Sequence, residues 1–151
     1  MTEKHLVRNL FIITNKMRRY LDKEHQRNNI YLGQARILKY IYQSGISPIY
    51  QKDIEKTFSI RGASVSALLE SLVKAGLLKR IESLFDKRKK SLILTDLGLE
   101  KAQEVVNTTK AFEKAIELSL NEEEVISLEQ ITRKLNQFID NKEKESYERS
   151  I

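Results

Sequence analysis

Apolar residues return every three or four positions through most of this chain, and the breaks between those stripes divide it into elements. Over residues 5–29, Leu6, Leu10, Ile13, Met17, Tyr20 and Leu21 predict one long helix. Val7, Phe11 and Ile12 widen its stripe beyond what one neighbour covers. That width calls for burial on two sides, under either a second subunit or a wide intramolecular core. Residues 33–44 form the next helix, with Gly33 as N-cap and Ala35, Ile37, Leu38, Ile41 and Tyr42 facing the core. Ile46-Ser47-Pro48-Ile49 is short and broken by proline, which suits one brief edge strand. Residues 50–57 read as a short helix with Phe58 packing behind it, and Ser59-Ile60 as a turn.

Residues 60–76 are the helix on which the functional reading depends. Val65, Leu68, Leu69, Leu72 and Val73 share one face. Arg61, Ser64, Ser66, Ala67, Ser71 and Lys74 form the other, and most of these side chains are small or carry a hydroxyl. A helix with so little bulk outward can lie deep in a groove, and the major groove of B-DNA, about 12 Å wide, admits one. Two β-prone runs follow, Leu77–Glu82 and Ser91–Thr95, and they pair as a hairpin. Between them the tip Asp86-Lys87-Arg88-Lys89-Lys90 sets four cations side by side. They repel one another, and a polyanion relieves that repulsion. A solvated polar turn is the plainer alternative.

Thr95 or Asp96 caps a long helix that runs to about Leu120, with Leu99, Ala102, Val106, Thr109, Phe112, Ile116 and Leu120 as its stripe. Asn121 before Glu122-Glu123-Glu124 signals a new helix start. The last helix carries Val125, Leu128, Ile131, Leu135, Phe138 and Ile139 and is expected to fray over residues 141–145. The outer helices show more apolar stripe than a three-helix core buries, which points to a dimer built from them.

Charge sharpens this picture. The net charge is +6, but it divides unevenly: +6 over residues 1–50, +5 over 51–95 and −5 over 96–151. The basic portions suit nucleic acid and the acidic one avoids it. The absence of cysteine excludes disulfides, zinc–thiolate sites and thiol redox sensing. No apolar run reaches the roughly 18 residues of a membrane span, and residues 1–5 lack the apolar segment of a signal peptide. Both histidines, His5 and His25, read as surface residues, His25 because Lys23, Glu24 and Gln26 flank it. No Ser–His–Asp set, glycine-rich phosphate loop or metal-ligand cluster is legible. Neither catalysis nor a cofactor or metal is expected.

The run Ala75-Gly76-Leu77-Leu78-Lys79-Arg80, then Asp86-Lys87-Arg88, then Leu94-Thr95 resembles the MarR family of winged-helix regulators. The three pieces stand in the family's order with no gap. The resemblance implies a mainly α fold with a small β-hairpin wing: a winged helix-turn-helix between N- and C-terminal dimerisation helices. Residues 1–151 are then a single MarR-like domain, with the DNA-binding part at 32–95 and the dimerisation helices at 1–31 and 96–151. A cytoplasmic homodimer would set two recognition helices about one DNA turn, roughly 34–36 Å, apart on a pseudo-palindromic double-stranded operator.

The expected DNA contacts are Gln51, Lys52, Arg61, Ser64, Ser66, Ala67, Ser71, Lys74, Arg80, Lys87, Arg88, Lys89 and Lys90. Arg88 matches the family's minor-groove arginine, and Asp86 braces the wing by pairing with a nearby arginine. Many family members carry Arg where this chain has Ala67 and Ser71, which moves weight onto Arg61 and the wing. Arg61 contacts either a base edge or a phosphate. The family commonly binds small aromatic or lipophilic acids between the dimer helices and the winged domain, and Phe11, Tyr20, Tyr31 and Tyr42 are candidates to line such a pocket. The function implied is a sequence-specific, ligand-responsive repressor. A winged-helix adaptor for proteins and a sequence-independent architectural DNA binder are the alternatives.

Overall fold

The computed structural model describes residues 4–151, Leu32 by its backbone alone. The expectation about a signal peptide rests in part on Met1, Thr2 and Glu3, which lie outside the described residues. Six helices and one antiparallel hairpin follow in order: α1 Leu6–Gln26, α2 Leu32–Gln43, α3 Gln51–Phe58, α4 Gly62–Lys74, β1 Leu78–Glu82, β2 Lys90–Leu94, α5 Asp96–Ser119 and α6 Glu122–Arg149. The chain divides into two compact units, one ending at Lys110 and the other spanning Ala111–Ile151.

In the first unit, one core gathers Ile37, Leu38 and Ile41 of α2, Ile54 of α3, Val65, Leu69 and Leu72 of α4, Leu78, Leu92 and Leu94 of the hairpin, and Ala102 and Val105 of α5. The α4 stripe is narrower than expected. Val65, Leu69 and Leu72 are fully buried, whereas Val73 is 38% exposed. Eight residues after Val65, the helix has turned Val73 to the edge of the packed face.

Gly33 is not the N-cap of α2. Tyr31 holds that place in extended backbone, and its N–H donates to Gln34 Oε1 (3.3 Å). Gly33 sits in the first turn, where a Cβ would press on the Leu68 side chain at 3.0 Å. Its missing side chain lets α2 approach α4. No strand forms at Ile46–Ile49; the segment contributes one ladder-like bond, from the Leu92 N–H to the Ile49 carbonyl (2.8 Å).

The hairpin pairs Leu78 with Leu94 and Glu82 with Lys90 at its two ends. At its root, Gly76 ends the α4 segment with left-handed φ (+73°). Thr95, rather than Asp96, caps α5: its Oγ1 accepts from the Gly98 N–H (3.0 Å) and donates to the Gly76 carbonyl (2.6 Å). The Gly–Leu–Leu and Leu–Thr pieces of the sequence motif are thus tied to each other.

In the second unit, Asn121 caps α6 reciprocally. Its Oδ1 accepts from the Glu124 N–H, its N–H donates to Glu124 Oε2, and both distances are 2.9 Å. The helix does not fray at 141–145 but continues to Arg149. The Lys142–Glu145 ion pair (3.2 Å) lies in that stretch.

Most of the α1 stripe is exposed. Leu6, Val7, Leu10, Phe11, Ile12, Ile13, Met17 and Tyr20 are all exposed. So are Leu128, Ile131, Leu135, Phe138 and Ile139 of α6. No helix of the described residues is long and apolar enough to cross a membrane.

Candidate nucleic-acid interface

A tight corner sets α4 against α3. Ser59 takes left-handed backbone (φ 50°), and the Ile60 N–H donates to the Glu55 carbonyl (3.1 Å). Arg61 follows in extended backbone as the N-cap residue of α4, so its exposed side chain leaves the helix at its entry end. Gln51 then braces the pair: its Nε2 donates to Ser66 Oγ (2.8 Å) and to the Gly62 carbonyl (3.3 Å). Farther along, Gln34 Nε2 of α2 donates to Ser71 Oγ (2.9 Å), which itself donates to the Leu68 carbonyl (2.7 Å).

These bonds correct the outward face drawn from the sequence. Ser66 and Ser71 are turned toward partners inside the unit and are half-buried. The exposed row on α4 is Ala63, Ser64, Ala67, Glu70 and Lys74, with Arg61 at its head. Glu70 was missed, although its spacing of three from Ala67 and four to Lys74 places it on that row. The bare character of the face survives, because Ala63, Ser64 and Ala67 remain its nearest residues to the entry end.

The wing is built by a turn over residues 86–89. The Asp86 carbonyl accepts from the Lys89 N–H (3.0 Å), and Asp86 Oδ1 accepts from the Arg88 N–H (3.0 Å) with Arg88 Nε at 3.7 Å. Ser83 N–H donates to the Lys89 carbonyl (2.9 Å) and closes the loop. This geometry leaves the Arg88 side chain 95% exposed, and Lys87, Lys89 and Lys90 are exposed with it.

Between α3, α4 and the hairpin lies a groove of about 570 Å³. Lys52, Arg80, Arg88, Lys89 and Lys90 line it, along with the carboxylates of Asp53 and Glu70. Asp53 is occupied in part, since its Oδ2 accepts the Tyr50 N–H at 2.8 Å. Five cations against two carboxylates, beside a helix with small outward side chains, form a surface suited to a phosphate backbone.

The four aromatics expected around a ligand are not brought together. Tyr42 lines an apolar cavity of about 710 Å³ with Ile46, Pro48, Ile81, Phe85 and Leu99, and its hydroxyl bonds Gln103. Phe11 and Tyr20 stand exposed on α1, and Tyr31 before α2. A different cavity, about 500 Å³, lies between α1, α2 and α5 and includes Arg18, His25, Arg36 and Lys39 in its lining. His25 is not a surface residue: it is 2% exposed, and its Nδ1 has no hydrogen-bond partner. Burial lowers its pKa; Asp22 and Glu24 oppose the shift and Lys39 adds to it. The charged neighbours of His25 hid its position, but its spacing of four from Leu21 continues the core stripe.

A comparison with curated protein sequences found no match. The MarR family model matches residues 29–89, the segment that holds α2, α3, α4, β1 and the wing turn. Among solved structures, the transcription regulator MarR from Oenococcus oeni is 27% identical (TM-score 0.74) over 87% of this chain and 98% of its own. The MepR–DNA complex of S. aureus is 25% identical (TM-score 0.81) over 92% and 99%. S. aureus MepR in its DNA-binding conformation is also 25% identical (TM-score 0.78), over 91% and 98%. The chain is thus similar to the MarR family of transcription regulators, through the family model over residues 29–89 and through a fold likeness that runs over nearly the full length of these solved regulators.

Proposed function

We propose that this protein is a sequence-specific double-stranded DNA-binding repressor that acts as a homodimer in the cytoplasm and has no catalytic role. The observation that carries this reading is the five-cation groove beside the exposed row Arg61, Ser64, Ala67, Lys74. In it α4 enters the major groove, and Arg88 with Lys87, Lys89 and Lys90 tracks the backbone and the adjacent minor groove. Arg80 and Lys52 neutralise phosphates along the groove wall. Gln51, Ser66 and Ser71 serve chiefly to fix α4, and Asp86 fixes the wing turn. The DNA complex of MepR supports the partner by analogy.

Residues 1–151 function as one MarR-like domain, with 32–95 reading DNA and the 1–31 and 96–151 helices forming the dimer. The uncovered apolar residues of α1 and α6 support that assembly. The effector is a small acid. Arg18, Arg36 and Lys39 around the second cavity suit a carboxylate better than the dispersed aromatics do.

Selection of bound duplexes from a random pool, followed by gel shifts across salt, tests the reading. A regulator keeps a preferred site roughly 10³-fold or more above random DNA. Equal binding to all duplexes with a steep salt slope identifies an architectural protein, and no shift at low salt identifies an adaptor.

A further inference from the structure

Ser83 is one of two buried polar residues among the described residues, yet it sits at the base of an exposed loop. Its hydroxyl shares a 2.8 Å hydrogen bond with the Tyr50 phenol and accepts the Phe85 N–H at 3.2 Å. Its own N–H closes the loop onto Lys89. Tyr50 is the N-cap residue of α3, and its ring lies 5.4 Å from Lys89 Nζ, within cation–π range. One side chain of the helix-turn-helix therefore grips the far end of the wing through both its hydroxyl and its ring.

The hairpin needs such a grip. A two-stranded ribbon is marginal on its own, and the root of this one is held by Leu78, Leu92 and Leu94 in the core. Those root contacts lie at the opposite end of the strands from the loop over residues 83–89. DNA imposes a fixed distance between a major groove and the neighbouring minor groove, so a wing that swings reaches the second groove only part of the time.

We propose that Tyr50 is a positioning residue which, through Ser83, sets the spacing between the wing cations and the recognition helix α4. The inference rests on the DNA-binding reading for its purpose, but the clamp itself can be measured without DNA.

The test has two arms on the full-length protein with Tyr50→Phe, Ser83→Ala and the double variant. In the first, amide hydrogen exchange without DNA follows the Ser83, Phe85 and Lys89 N–H groups. Tyr50→Phe keeps the ring and the fold, and should speed exchange of all three while α2 and α4 amides stay unchanged. Unchanged exchange at these amides overturns the clamp, whether or not the protein binds DNA. In the second arm, hydroxyl-radical footprinting uses the duplex selected by the parent. Each single variant should lose protection in the flanking minor grooves, retain it in the central major groove, and bind about 3- to 10-fold more weakly, the scale of one lost hydrogen bond. The double variant should be no worse than Ser83→Ala alone, which already breaks the shared bond and also loses the Phe85 contact. A full parental footprint from Tyr50→Phe, or additive losses, overturns the positioning role. A parent that protects no duplex overturns the proposed function instead, and the exchange arm still decides the clamp.

Discussion

The carbonyl oxygen of Leu77 occupies the space that a Cβ on Gly98 would need. The same oxygen accepts the Thr95 N–H (3.1 Å), so the first turn of α5 is drawn onto the root of the wing. The obstacle to a side chain at Gly98 is backbone, which cannot turn away as a rotamer can. Gly98→Ala should therefore destabilise the fold by about 1–3 kcal/mol or more, the cost of overpacking a closed contact. Urea unfolding followed by circular dichroism measures it, and an unchanged midpoint would show that the contact is loose.

The wing and the recognition helix should fail in different ways. Arg88→Ala with Lys89→Ala removes two exposed cations and should weaken binding to every duplex. If each meets a phosphate, the double variant lowers the log–log salt slope by about 2, since each contact contributes roughly 0.9. Arg61→Ala should weaken the selected site more than random DNA, by about 1–3 kcal/mol if its contact is to a base edge. Equal loss on both duplexes reassigns Arg61 to phosphate. Parental binding by both variants means that DNA docks elsewhere.

Much of this architecture was legible because stripes at helical spacing report which face is buried. The α4 core residues Val65, Leu69 and Leu72, the Asn121 cap and the hairpin, to within one residue at each strand end, followed from local pattern. The side chains of Ser66 and Ser71 did not. A serine suits either face of a helix, and the partners that turn these two inward, Gln51 and Gln34, are 15 and 37 residues away. His25 was misplaced for a related reason: charged neighbours describe the outer side of a helix turn, not the residue between them. The cationic cavity was invisible for want of any local signature, since its lining comes from three helices, with Arg18 and His25 on α1, Arg36 and Lys39 on α2, and Val105 and Thr109 on α5.

The apolar face of α1 should be a subunit contact. Leu10 and Ile13 are 48% and 50% exposed in the single chain, so charging them leaves its core intact. Leu10→Glu with Ile13→Glu should shift the parental dimer to monomer in analytical ultracentrifugation at unchanged helix content. Operator affinity should fall steeply, because a monomer holds one half-site and loses the effective concentration that a second site gains from the first. A double variant that remains dimeric places the interface on other residues.

His25 makes stability depend on pH in a definite direction. Its imidazole is buried with Nδ1 unpaired, and desolvation lowers its pKa below the ordinary 6.5 despite Asp22 and Glu24 nearby. The unfolded chain therefore takes up the proton before the folded one does. Above about pH 6.5 both states are neutral at this residue, and it costs nothing. As pH falls below that value, protonation favours the unfolded state, and the loss levels off only below the folded pKa. His25→Gln removes this titration at the cost of a constant packing change. The stability gap between parent and variant, measured by urea unfolding from pH 8 to pH 5, should stay constant above about 6.5 and move in the variant's favour below it. An acid bound in the adjoining cavity would reverse the sign locally, by favouring the imidazolium beside Arg18, Arg36 and Lys39. Its affinity should then rise as pH falls over the same window, for as long as the acid itself stays ionised. A gap that is flat across the whole range would mean that His25 is as accessible to protons in the folded chain as in the unfolded one.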